Sequence, residues 1–117
     1  MYKSFRDMRV WQNALGLSDI VFKLTLTLPK SEDYGLTSQI RRSSNSISGN
    51  IAEAFGRKQN KDKSRFYHIA RGSAFETQSH LLYGAKIEYF NENAIENVFK
   101  DYQELIHEIN KILKSLE

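Results

Sequence analysis

Apolar residues recur along the chain at alternating steps of three and four, the spacing that puts side chains on one face of an α-helix. In a first stretch, from about Asp7 to Leu28, they are Val10, Ala14, Leu17, Val21, Leu24 and Leu28. Ser4 and Asp7 are spaced as a capping box at its start, and Pro29 lies just past its end. A second stretch, from about Asp33 to Arg57, carries Leu36, Ile40, Ile47, Ile51 and Ala54 behind Ser31. Glu32 and Asp33 place negative charge in its opening turn, where the helix dipole favours it. Its middle, Ser43-Ser44-Asn45-Ser46-Ile47-Ser48-Gly49, has poor helix propensity, but the apolar spacing runs through it and predicts helix rather than loop. The third stretch, from about Asp62 to Tyr89 with Asn60 or Asp62 as its cap, has the stripe Phe66, Ala70, Ser73, Thr77, Leu81 and Gly84, whose small members allow close helix contact. The fourth, from about Glu92 to Leu116, has Ile95, Val98, Tyr102, Leu105, Ile109, Ile112 and Leu116, widened by Phe99, Ile106 and Leu113. Four helices of roughly 22 to 28 residues, each about 35 to 40 Å long and joined by short loops, predict an all-α fold. The expected architecture is one domain over residues 1–117, an antiparallel up-down-up-down four-helix bundle.

Two helices carry a second apolar row. Met8, Trp11, Leu15, Phe22 and Leu26 fall roughly 100 to 160° from the Val10 stripe, and Phe75, Leu82 and Tyr89, spaced by seven, lie roughly opposite the Phe66 stripe. A four-helix bundle buries one broad stripe per helix, so these rows predict self-association into a cyclic homo-oligomer. Trp11, Leu15, Phe22, Phe75, Leu82 and Tyr89 are the expected interface, with unusually deep burial inside one subunit as the alternative.

Composition narrows the class. The 117 residues contain one proline, six glycines and no cysteine. Without cysteine there is no disulfide scaffold and no thiolate metal site, and a reducing cytosol is the default environment. No apolar run approaches the roughly 20 residues of a bilayer span, and the N-terminal residues lack a signal-peptide core, so a cytoplasmic protein with no membrane partner is expected.

The formal net charge of +3 understates the charge pattern. Between Arg41 and Arg71 eight basic residues face only Glu53 and Asp62, a local net of +6, whereas Glu92 to Glu117 holds six acids against three lysines. In an up-down bundle the turn after the second helix shares one end with both termini, which bring Lys3, Arg6, Arg9, Lys111 and Lys114. One end is then basic, and Glu32, Asp33, Glu88, Glu92 and Glu96 gather at the other. Arg57, Lys58, Lys61, Lys63 and Arg65 are the candidate phosphate contacts for a nucleic acid, RNA above all, with Phe66 and Tyr67 beside them for base stacking. Charged loops are also commonly just solvated surface.

Motifs for catalysis are lacking. Glu104 and His107 have the Glu-x-x-His spacing of di-iron bundles, but such sites need two copies and two further glutamates, and Leu105 and Ile109 turn this pair toward solvent. Glu76 and His80 could pair locally, with no cluster to complete a metal site. No cofactor is implied, and no Gly-x-Ser-x-Gly elbow or phosphate-cradling glycine loop occurs. A polar row on the second helix, including Arg41, Arg42, Asn50 and Glu53, reads as a structural network with the third helix, Glu53 meeting Arg71. The alternative for this row is a ligand or phosphate site.

These residues carry a resemblance. Phe5-Arg6-Asp7-Met8, Val10-Trp11-Gln12, Leu28-Pro29, Tyr34-Gly35-Leu36, Ser38-Gln39-Ile40-Arg41-Arg42, Asn50-Ile51-Ala52-Glu53, Gly56-Arg57, Arg65-Phe66 and Ile69-Ala70-Arg71-Gly72-Ser73 occur in order. The pattern resembles the four-helix bundle proteins encoded in intervening sequences of bacterial 23S ribosomal RNA genes, over nearly three quarters of the chain. The resemblance implies a homopentamer. A relative of that family, the accessory variability determinant of diversity-generating retroelements, is a basic pentameric barrel that binds nucleic acid and a reverse transcriptase. Ser48 stands here for a common proline, Ala54 for a common glycine and Gln78 for a frequent acid. The expectation is a non-enzymatic homopentamer binding RNA or structured nucleic acid through a basic end; the alternative is an interaction or scaffolding module that docks a partner protein.

Overall fold

Each of the four periodic stretches is helical in the computed structural model, which describes Met1–Glu117. The helices are α1 (Arg9–Leu24), α2 (Leu36–Phe55), α3 (Asn60–Lys86) and α4 (Glu92–Ser115), and there is no strand. The serine-rich middle of α2 stays in the helix, because Ile40, Ile47 and Ile51 are fully buried and tie it to the core. Hydrophobic packing thus overrides weak local propensity.

The helix ends differ from the periodic reading, each for a local reason. Ser4 does cap, but only a 3-10 turn over Phe5–Asp7, since Met8 is extended (φ −78°, ψ 124°) and α1 starts after it. At the other end α1 tightens into a 3-10 turn over Thr25–Thr27 before Leu28 and Pro29 run extended. A further 3-10 turn, Lys30–Glu32, precedes α2, and the Glu32 carboxylate accepts the Leu36 N–H at 2.9 Å. Glu32 therefore caps α2 from outside the helix. Gln59 precedes α3 without a side-chain cap, in place of Asn60 or Asp62, whereas Asn91 caps α4 by accepting the Asn93 N–H at 2.8 Å. Helix α3 stops three residues short of Tyr89. Glu88 adopts a left-handed conformation (φ 69°), and the Tyr89 and Glu88 amides turn back to the Gly84 and Ala85 carbonyls at 2.8 and 3.1 Å. This is the closing pair of a Schellman motif.

Each helix packs on two neighbours, in the cycle α1–α2–α3–α4–α1, and the α2–α3 seam is the most extensive. Small residues explain that seam. The buried hydroxyls of Ser43 and Thr77 meet at 2.8 Å and the half-buried ones of Ser46 and Ser73 at 3.0 Å, so the two backbones approach closely. Rising numbers on α2 meet falling numbers on α3. The core joins 21 buried apolar residues from all four helices and the α3–α4 turn, with the fully enclosed Tyr102 the largest. Its hydroxyl has no protein partner, and burial pushes its pKa up. The molecule measures 43 × 23 × 21 Å, and no helix is long and apolar enough to cross a membrane.

Candidate nucleic-acid interface and apolar faces

The basic residues between α2 and α3 divide by environment. Lys58 and Lys61 are exposed and make no ion pair. Arg57 pairs with Glu53 at 3.1 Å, four residues back on the same helix. Its guanidinium also lies 4.7 Å from the centre of the Phe66 ring, and that of Arg65 lies at the same distance. Two cations thus stack on one aromatic side chain, which fixes their planes. Lys63 is the exception. It is half-buried, and its ammonium donates to the Ala54 and Phe55 carbonyls at 3.1 and 3.4 Å, closing the C-terminal end of α2. The positive charge suits the negative end of the helix dipole and satisfies carbonyls that the helix leaves open.

The aromatic residues expected to stack bases are placed otherwise. Phe66 is engaged by Arg57 and Arg65, and Tyr67 is buried, its phenol pushed up in pKa first by burial and then by Tyr2. The reason is helical phase: Tyr67 falls on the core side of α3, beside Ala70 and Ala74.

The polar row of α2 meets α3 through Arg42 and Ser43, but not through the Glu53–Arg71 pair expected. Glu53 meets Arg57 and not Arg71, which reaches across to α4, donating to the Asn110 side-chain oxygen at 2.7 Å and meeting His68 Nδ1 at 3.0 Å. The outer face of α2 holds Glu53 away from the α4 side of α3, where Arg71 points. Asn50 is satisfied within α2, donating to the carbonyl and hydroxyl of Ser46 at 2.8 and 3.0 Å. Arg41 donates to the Thr25 hydroxyl at 2.8 Å and lies 4.3 Å from the centre of the Phe22 ring. Arg42 supplies the ion pair to α3, meeting Glu76 at 3.0 Å, and His80 meets the same carboxylate at 3.2 Å. Gln78 was legible only as a departure from a family pattern, yet it ties α3 to α4 through the Phe99 carbonyl and the Gln103 side chain, at 3.2 and 3.0 Å. Its buried position, one step from Thr77 in the stripe, was the available signal. Glu104 and His107 are exposed, and no three potential metal ligands gather anywhere.

The second apolar rows separate in the same way. Leu15, Phe22, Phe75 and Leu82 are 45, 47, 50 and 53% exposed. Trp11 and Tyr89 are half-buried against their own core. Trp11 stands edge-on to Phe5 at 5.0 Å, and the Tyr89 hydroxyl donates to Glu32 at 3.0 Å, a bond that holds its pKa up. Leu15 and Phe22 line a hollow of about 890 Å³ between α1 and α2, with Arg41 and Asn45 on the far wall. Leu82 and Phe99 line a smaller one of about 480 Å³ between α3 and α4.

The family model described as 23S rRNA-intervening sequence protein matches residues 6–111. A crystal structure at 1.70 Å of a protein of unknown function from the S23 ribosomal protein family of Bacteroides thetaiotaomicron VPI-5482 is similar, with a TM-score of 0.80 and 25% identity. The match covers 90% of this chain and 98% of that one. No curated protein matches.

Proposed function

The chain belongs to the 23S rRNA-intervening sequence protein family, and we propose that it works in the cytoplasm as a non-enzymatic homopentamer that binds RNA or structured nucleic acid through a basic end. The observation that carries this reading is the α2–α3 corner, where exposed Lys58 and Lys61 stand beside two arginines, Arg57 and Arg65, oriented on Phe66. Pairings along the seams support an antiparallel up-down order, in which further cations would share this end. Phe5 lies 6.5 Å from Phe55, bringing exposed Lys3, Arg6 and Arg9 near, and the Arg71–Asn110 bond sets the Lys111 and Lys114 end of α4 beside α3. The pentamer rests on the resemblance and on the exposed apolar rows; five copies would repeat the basic corner as a ring. Contacts of this kind hold phosphates and read little sequence.

Fluorescence anisotropy with a generic RNA stem tests the reading. At about 50 mM salt the protein is expected to bind, and Lys61→Glu with Arg65→Glu should weaken binding at least about tenfold and flatten its salt dependence. Undetectable binding, or binding unchanged in the double variant, overturns it and leaves the oligomer as a docking platform for a partner protein. Light scattering that returns a monomer overturns the pentamer.

A further inference from the structure

We propose that the Leu15–Phe22 face of one copy docks head to tail on the Phe75–Leu82 face of a second copy of this chain. The inference rests on the self-association proposed above and names the two surfaces that make it. In the cycle of helix contacts α1 and α3 are diagonal, so neither row can cover the other within one subunit. The α1 row opens into the hollow that α1 shares with α2, and Leu82 into the hollow that α3 shares with α4. These are opposite sides of the molecule. A two-fold contact of a face with itself would bury one row and leave the other in water, whereas a head-to-tail contact uses one row from each partner and closes every row in a ring.

The rows also match in dimension. Leu15 and Phe22 are seven residues apart, as are Phe75 and Leu82, so each surface offers two large apolar side chains about 10.5 Å apart along its helix. Seven-residue spacing is the repeat with which helices pack side by side in coiled coils. Phe22 is already held in place by the Arg41 guanidinium on its ring, which lowers the cost of ordering it. Charge selects the direction. Arg41 and Arg42 wall the first hollow together with Asp19, Arg42 being already paired with Glu76 of its own subunit, and Glu92 and Glu96 stand beside Leu82 in the second. All lie toward the same end of the molecule, since Arg41 meets Thr25 and Phe22 at the end of α1 while Leu82 and Glu92 flank the α3–α4 turn. Copies with parallel long axes therefore set the arginines opposite the glutamates. Lys86 and Lys100 share the second face, Lys100 at 3.5 Å from Glu96, so this contribution selects orientation more than strength.

Complementation tests the geometry. One variant carries Leu15→Glu and Phe22→Glu, the other Phe75→Glu and Leu82→Glu, and circular dichroism checks that both stay helical. A second pair with alanine at the same positions carries the same reading should a glutamate variant lose its helices. By light scattering each variant alone should be a monomer, and an equimolar mixture should form a heterodimer, because one intact surface of each kind remains. A mixture that stays monomeric, or a single variant that keeps the wild-type mass, overturns the docking. A monomeric wild type overturns the oligomer itself, whereas an oligomeric wild type without complementation overturns only this pairing of faces.

Discussion

Glu88 occupies a backbone position that helix ends usually give to glycine. At φ 69° its Cβ is crowded, yet the two closing hydrogen bonds of the motif require that conformation. Replacing it by glycine removes the strain, and Glu88→Gly is expected to raise stability by about 0.5 to 1 kcal/mol. Urea unfolding measures this, and a lower midpoint would contradict it. The same turn explains Gly84, whose missing side chain leaves room for the Phe90 ring to lie against the helix. In the sequence Gly84 is visible only as one more small residue in a stripe, and its partner six positions on lies outside that periodicity. Lys63 shows the same limit. Its residue type marked it as a candidate phosphate contact, and only the turn between α2 and α3 shows that its ammonium serves the backbone instead.

At the level of the helix, existence and facing were readable and ends were not. Every apolar position assigned to the α2 stripe is buried, because a period of 3.6 is a property of the helix itself. The ends depend on single contacts such as the Glu32 carboxylate on the Leu36 amide, which spacing does not encode. The serines of α2 show why low propensity was a poor guide there. Ser43 is wholly buried against Thr77, so its small size, and not its preference for coil, is what the fold uses. Ser43→Leu overfills this seam and should cost about 1 to 3 kcal/mol. Ser43→Ala should cost only about 1 kcal/mol, since Thr77 keeps its bond to the Ser73 carbonyl. Thermal melts that rank the alanine variant below the leucine variant would refute the small-residue account of the seam.

For the whole molecule, the surplus of apolar face was legible because a bundle needs one stripe per helix and two helices carry more. What spacing could not separate was which of the six residues expected at the interface the subunit covers by itself: Trp11 leans on Phe5 and Tyr89 on Glu32, leaving Leu15, Phe22, Phe75 and Leu82. Self-association through those four predicts that the wild-type melting temperature rises with protein concentration, while the Leu15→Glu, Phe22→Glu variant melts at one temperature throughout. Calorimetry at concentrations about a hundredfold apart decides this, and a concentration-independent wild type would count against the assembly. The Lys63 cap has a thermodynamic counterpart at this scale. An ammonium held on two carbonyls is not free to reach a phosphate, and Arg57 is paired with Glu53, so a polyanion at the α2–α3 corner would displace ions on account of Lys58, Lys61 and Arg65, and of Arg57 only if it leaves Glu53. With those four cations at most neutralising phosphate, the corner accounts for a logarithmic salt slope of no more than about 3 to 4 per subunit. A steeper slope marks cations supplied by the chain termini or by a neighbouring copy.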